Sequence, residues 1–271
     1  MSILARREWA LEVGTPGGRA VRYEGMRMTF EVRLGGDPTD HGATIGYWMP
    51  PLNMVHSLGA EDIVVRVLAG YEDGGAVEMA RGAVVAGSIK DRRGSTDPNV
   101  EFQISAAGTE MLPVLSRSMP GPVSASEVIE QIRADLGLPA DSIDLADDPV
   151  FERGYMLSGT PRAVLSELAL STGCNWDLPD GRLRFWPRGQ PARQLRDLWT
   201  SGTGLLEVSG PGSQRTIEAM ALLRPAMRPG DIVRIDDQSH QGDIVVQDCT
   251  HSGDTFGDPW FTRITGRPLD G

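Results

Sequence analysis

The side chains of this sequence best suited to catalysis or metal binding are four histidines, His41, His56, His240 and His251, and a few groups of carboxylates. His240 stands among Asp236, Asp237 and Asp243, the nitrogen and oxygen ligand types that hold divalent cations. That stretch is rich in turn formers and lies between two apolar runs, so it reads as a solvated loop. His251-Ser252-Gly253-Asp254 has the letters of a hydrolytic triad. A Ser adjacent in sequence to its His is, however, badly placed to be the nucleophile that His activates. Asp147 and Asp148, with Glu152, offer carboxylates for sugar hydrolysis, but neighbouring Asp side chains diverge and Pro149 marks a connector. Trp176, Trp186, Trp199 and Trp260 are the residues to line a carbohydrate groove. Three of them fall at strand or hairpin positions, where core packing is the expected use.

The sequence contains no GxSxG, HExxH, GxxxxGK[ST] or glycine-rich dinucleotide fingerprint. It therefore predicts no enzyme, no catalytic, cofactor-binding or metal residues, and no cofactor. Cys174 and Cys249 are far apart and form no CxxC, which suits two buried apolar thiols better than a disulfide or zinc site. The formal net charge of −11 disfavours tight binding to DNA, RNA or anionic lipid, and no Lys/Arg run offsets it. The first residues reach Arg6 and Arg7 before any signal-length apolar run, and no stretch approaches a membrane span, so folding in a cytoplasm is expected.

The elements that must position these residues are mostly strands. The chain is 271 residues long and carries 33 Gly and 19 Pro spread along it, as many turns between short strands require. Met26, Met28, Phe30, Val32 and Leu34 alternate with polar residues and share one strand face, which Gly35-Gly36-Asp37-Pro38 ends. Ile63–Ala69 and Ala83–Ile89 read as strands covered on both faces, and Val100, Phe102, Ile104 and Ala106 as an alternating strand. These belong to one small barrel or sandwich.

The character changes at Pro120-Gly121-Pro122. Ser124 and Glu127 form a capping box for a helix that carries Val128, Ile129, Ile132 and Leu136 and stops at Gly137. Thr160-Pro161 opens a second helix with Val164, Leu165, Leu168 and Ala169 on its apolar face, closed by Gly173. Asn175–Leu178 and Arg182–Trp186 flank Pro179-Asp180-Gly181, a hairpin signal. Strands return at Ile217–Leu223, Ile232–Ile235, Ile244–Gln247 and Trp260–Ile264, with a type II turn at Pro229-Gly230.

The order and spacing of several segments resemble one family. They are Thr203–Leu206, Leu222–Pro225, Arg228–Asp236 with Gly242-Asp243, and Cys249–Trp260. The helix Thr160–Gly173 with Trp176 and Asp180–Leu183 is similar too, as is Ile63–Tyr71 ending in Ala69-Gly70-Tyr71. Together they resemble bacteriophage baseplate hub proteins of the phage Mu hub and late control D type. The match runs from about Ile63 to Thr265, is firmest after Gly154, and does not extend to residues 1–60.

The resemblance implies a mainly β fold of two tail-tube-like β-barrels with a small α+β domain between them. The segments are 1–118, 119–200 and 201–271. It implies a structural virion protein of the tail baseplate, a homotrimer whose six barrels form a pseudo-sixfold ring. That ring joins the tail tube or distal tail protein above to a spike, tip or other baseplate protein below, and lets DNA pass during ejection without binding it. Two rivals come from other classes. A tail-associated cell-wall hydrolase requires a carboxylate pair or zinc motif, and a module binding host carbohydrate requires exposed tryptophans.

Overall fold

The structure, a computed structural model, describes residues 6–15, 18–35, 41–105, 114–139, 142–178, 182–192, 196–210 and 216–269. The predicted turns at Gly36–Pro38 and Pro179–Gly181, and Ala106 at the end of a predicted strand, lie outside them.

Period-2 patterning is realised where it is cleanest. In the strand Met28–Leu34, Met28, Phe30, Val32 and Leu34 are buried on one face while Arg33 is exposed. Met26 keeps the periodicity but precedes the strand and is half exposed. Val64–Tyr71 is buried on both faces apart from Arg66 and its last residue, as a doubly covered strand should be. Asn99–Ser105 alternates as expected.

The expected strand Ala83–Ile89 is a correction. The strand there is Gly75–Val84, and the chain turns away after it. Gly87 takes a left-handed φ of 74° and the Ser88 hydroxyl bonds the Val85 carbonyl, so this apolar run cannot continue the ladder.

In chain order the strands are β1 (Arg7–Gly14), β2 (Val21–Tyr23), β3 (Met28–Leu34), β4 (Gly42–Trp48), β5 (Val64–Tyr71), β6 (Gly75–Val84), β7 (Lys90–Asp91), β8 (Asn99–Ser105), β9 (Leu115–Met119) and β10 (Val123–Ser124). There follow β11 (Val150–Phe151), β12 (Tyr155–Gly159), β13 (Cys174–Asp177), β14 (Arg184–Pro187), β15 (Arg196–Trp199) and β16 (Leu205–Ser209). The last four are β17 (Ile217–Leu222), β18 (Ile232–Asp236), β19 (Gln241–Asp254) and β20 (Trp260–Pro268). Three α-helices, α1 (Leu52–Leu58), α2 (Ala125–Asp135) and α3 (Pro161–Ser171), and a 3-10 turn at Ser201–Thr203 complete the described elements.

Fourteen strands form one sheet, ordered β16-β17-β20-β19-β3-β4-β8-β6-β5-β1-β2, with β18 beside β19, β15 beside β18 and β7 beside β8. β19 makes the continuity. It is fourteen residues long, so its first half pairs with β18 and its second half, Cys249–Asp254, pairs with Leu34–Thr29 of β3. A single core follows this sheet from Leu11 to Ile264. Gly253 lies opposite Phe30, and a Cβ there would come within 2.2 Å of the Phe30 ring, so only glycine lets that ring cross β19 and meet Trp260 edge-on at 5.4 Å. Among the described residues no sheet closes into a barrel.

The middle of the chain has its own core, from Val123 to Phe185, built on α2, α3 and three two-stranded sheets. Its local grammar holds. Ser124 accepts from the Glu127 amide at 3.2 Å while the Glu127 carboxylate accepts from the Ser124 amide at 2.8 Å. Gly137 follows α2 with φ 64°, Thr160 caps α3 with Pro161 in its first turn, and Gly173 closes it with φ 68°.

Candidate assembly surfaces

His251 is the sequence candidate most altered by its surroundings. It is fully buried on the core side of β19, while Ser252 leaves the opposite face of the strand, so the two side chains do not form a dyad. The Arg224 amide donates to the Thr262 hydroxyl at 2.7 Å, and that hydroxyl lies 2.9 Å from His251 Nδ1. The Met227 carbonyl, 3.3 Å from Nε2, can only accept, so Nε2 carries the proton and Nδ1 accepts from Thr262, with Cys249 Sγ 3.4 Å from Nε2. Burial first, then the Arg228 charge, lowers the imidazole pKa to about 3. Burial likewise pushes the Cys249 thiol well above its ordinary value, so Cys249 and His251 form a neutral pair sealed in the core. What the pair does is fasten the segment Arg224–Asp231 to the sheet.

That segment carries the predicted turn. Gly230 has φ 83° and follows Pro229, and a Cβ on it would come within 2.4 Å of Ala192 Cβ. The fully buried Asp231 accepts from the Arg228 amide at 2.9 Å, and the Arg228 guanidinium reaches the Glu78 carbonyl of β6 at 2.8 Å.

The other candidates are also structural. Asp237 accepts from the Ser239 amide and hydroxyl, at 3.1 and 2.9 Å, which lowers its pKa. Asp236 accepts from Gln241 at 3.0 Å, and Asp243 faces Arg234 at 3.5 Å, so the carboxylates around His240 turn to separate partners. Among the described residues no three His, Cys, Asp or Glu side chains are grouped to hold a metal ion. Asp148 caps α2, accepting from the Ser126 amide at 2.9 Å and hydroxyl at 2.7 Å. Trp176, Trp186, Trp199 and Trp260 are all buried, which closes their faces to a sugar. Cys174 and Cys249 are free, buried thiols in different cores.

Two charged clusters escaped sequence reasoning because their members are far apart in the chain. At the junction of β3 and β19, Asp254 accepts from Arg27 at 2.7 and 3.2 Å and from the Phe256 amide at 3.0 Å. Burial alone would raise the Asp254 carboxyl, but these hydrogen bonds and the charges of Arg27 and Arg7 bring it below the usual range. Arg7 also donates to the Asp254 carbonyl at 2.9 Å and lies over the Trp260 ring at 5.0 Å, tying β1 to the same hairpin tip. Between the large sheet and the α+β unit, His41 and Arg184 each lie 3.7 Å from the buried Asp177 carboxylate. His41 Nε2 also lies 2.8 Å from the Gly35 carbonyl.

The surface offers contacts of a different kind. Phe256 is 70% exposed on the hairpin tip pinned by Asp254, against Arg22, Glu24 and Gly25 at the end of β2, and Val21 and Met26 of the same stretch are half exposed. At the other end, Leu198 and Leu206 are about half exposed on β15 and β16. Exposed apolar side chains near strand edges are surfaces suited to protein contacts.

The fold is that of phage tail proteins. A tail protein from Neisseria meningitidis MC58 superposes with a TM-score of 0.65 at 10% identity, over 97% of each chain. The 43 kDa tail protein of prophage MuSo2 from Shewanella oneidensis gives a TM-score of 0.62 at 12% identity, over 96% of this chain and 97% of that one. An E. coli type VI secretion component, described as structurally similar to the T4 tail proteins gp27 and gp5, gives 0.59 at 9% identity over 99% of this chain and 75% of its own. No protein-family model and no curated sequence matches the chain. No helix among the described residues is long and apolar enough to cross a membrane.

Proposed function

We propose that this chain is a structural protein of a phage tail, a baseplate hub subunit acting through assembly and not through catalysis. The observation that carries the reading is the end-to-end match of its fold to tail proteins, over 97% of both chains in one case. The regions 1–118 and 201–271 are proposed to act as two tail-tube-like barrel units joined at the β3–β19 junction, with 119–200 as an α+β domain beside them. Three chains then supply six such units, a pseudo-sixfold ring. Such a ring matches a sixfold tube on one side and a threefold spike or tip on the other. The −11 charge of each chain keeps passing DNA off the wall.

A particle reconstruction tests this directly. Six barrel-like densities with true threefold symmetry at the end of the tail tube are expected. A hexamer of whole chains at that position, or a location outside the tail, sinks the reading. Once lumen-facing carboxylates are identified, replacing them by Lys should slow DNA ejection, and added salt should relieve the defect by screening.

A further inference from the structure

We infer that copies of this chain join edge to edge, with β2 of one copy adding to β16 of the next, so that the two ends of the fourteen-stranded sheet are the two halves of one subunit contact. This rests on the ring reading above and specifies its interface.

β2 and β16 are the terminal strands of the sheet path, and each has one strand neighbour among the described residues, as do the short branch strands β7 and β15. Edge strands of soluble proteins are usually blunted by Lys or Pro. Neither occurs in Val21-Arg22-Tyr23 or in Leu205-Leu206-Glu207-Val208-Ser209. β2 is only three residues long and β16 is bulged between Leu205 and Glu207, so the added ladder is short. Both strands expose an apolar residue, Val21 at 48% and Leu206 at 54%.

Charge decides which edges can meet. The central residue of β2 is Arg22, and the central residue of β16 is Glu207, both exposed. A twofold contact of β2 with β2 sets Arg22 against Arg22, and one of β16 with β16 sets Glu207 against Glu207. Like charges directly opposite destabilise a strand pair, whereas the mixed contact sets Arg22 against Glu207. Arg22 already bonds Glu12 at 3.2 Å and also pairs with Glu24, and a guanidinium with five donors accommodates a further carboxylate. A contact between unlike edges is heterologous, and it closes into a ring when its rotation divides a full turn. Both edges have exposed apolar residues to bury there, Val21 on β2 with Phe256 against Arg22 and Glu24, and Leu206 on β16.

The native thiols are buried, so cysteines introduced on the surface report contacts without background. Reduced full-length Arg22→Cys and Glu207→Cys chains are oxidised each alone and as an equimolar mixture, with exposed Ser158→Cys as the control. The expected product is a mixed disulfide dimer that dominates both homodimers, and the double variant should give closed covalent rings. Homodimers in excess, or no mixed product above the Ser158→Cys level, overturns the inference. As a second measure, Arg22→Glu should weaken self-association in sedimentation by up to about fivefold per contact, and adding Glu207→Arg should restore it. A double variant as weak as the single one counts against the pairing. Threefold rings in tails built from chains that fail to form the mixed disulfide would leave the ring reading standing and remove this interface. The absence of any ring would remove both.

Discussion

Acidification should unlock the tertiary structure at His251. The imidazole pKa is about 3 in the folded protein against an ordinary 6.5, because burial and Arg228 disfavour the cation. The folded value is the lower one, so between these limits the unfolded chain binds more protons. Stability is then constant above about pH 6.5 and falls as pH drops towards 3. The difference of roughly three and a half units sets a ceiling of about 5 kcal/mol, of which about 2 kcal/mol is lost by pH 5. The assay is denaturant unfolding of the wild type and of His251→Asn at pH 8 and pH 5. The variant is less stable at both, but the wild type should lose about 2 kcal/mol more between them, because contributions from the other histidines cancel in the difference. Equal losses in the two proteins, or an NMR titration of His251 with a midpoint near 6, would show that the imidazole is not held neutral by burial.

Three further outcomes follow from the same structure. Gly230→Val must leave φ 83° or press a Cβ to within 2.4 Å of Ala192, and should cost about 3 kcal/mol in unfolding experiments; an unchanged melting temperature contradicts that geometry. Asp254→Asn removes the partner of a partly exposed Arg27, so a loss of about 1–2 kcal/mol is expected at pH 7, shrinking in acid as the wild-type carboxyl is protonated; a loss undiminished at pH 2 counts against the charge pair as its source. Ser124→Ala breaks the capping box of α2 and should cost about 1 kcal/mol, with amide exchange accelerated first at Glu127.

Local elements were legible in the sequence where local physics decides them. Ser124 with Glu127, Thr160 with Pro161, Gly137, Gly173 and Gly230 each fix backbone geometry through atoms within a few residues, and each appears where the sequence predicts it. The strict alternation of residues 28–34 likewise fixes which face of β3 is buried. Apolarity without alternation was less informative, as Ala83–Ile89 shows: the run is apolar, but Gly87 and Ser88 turn the backbone out of the sheet.

The pairings between distant segments became visible in the folded chain alone. No periodicity announces that the second half of β19 will pair with β3, or that Arg27 will meet Asp254 across 227 positions of sequence. The burial of His251 is of the same kind, since a lone histidine in a strand is silent about its neighbours until Thr262, Met227 and Cys249 are folded around it. Caps and turns are written in a sequence because their partners are near in the chain. Sheet edges, seams and buried polar groups depend on which strands become neighbours, and that is settled by burying the whole core at once.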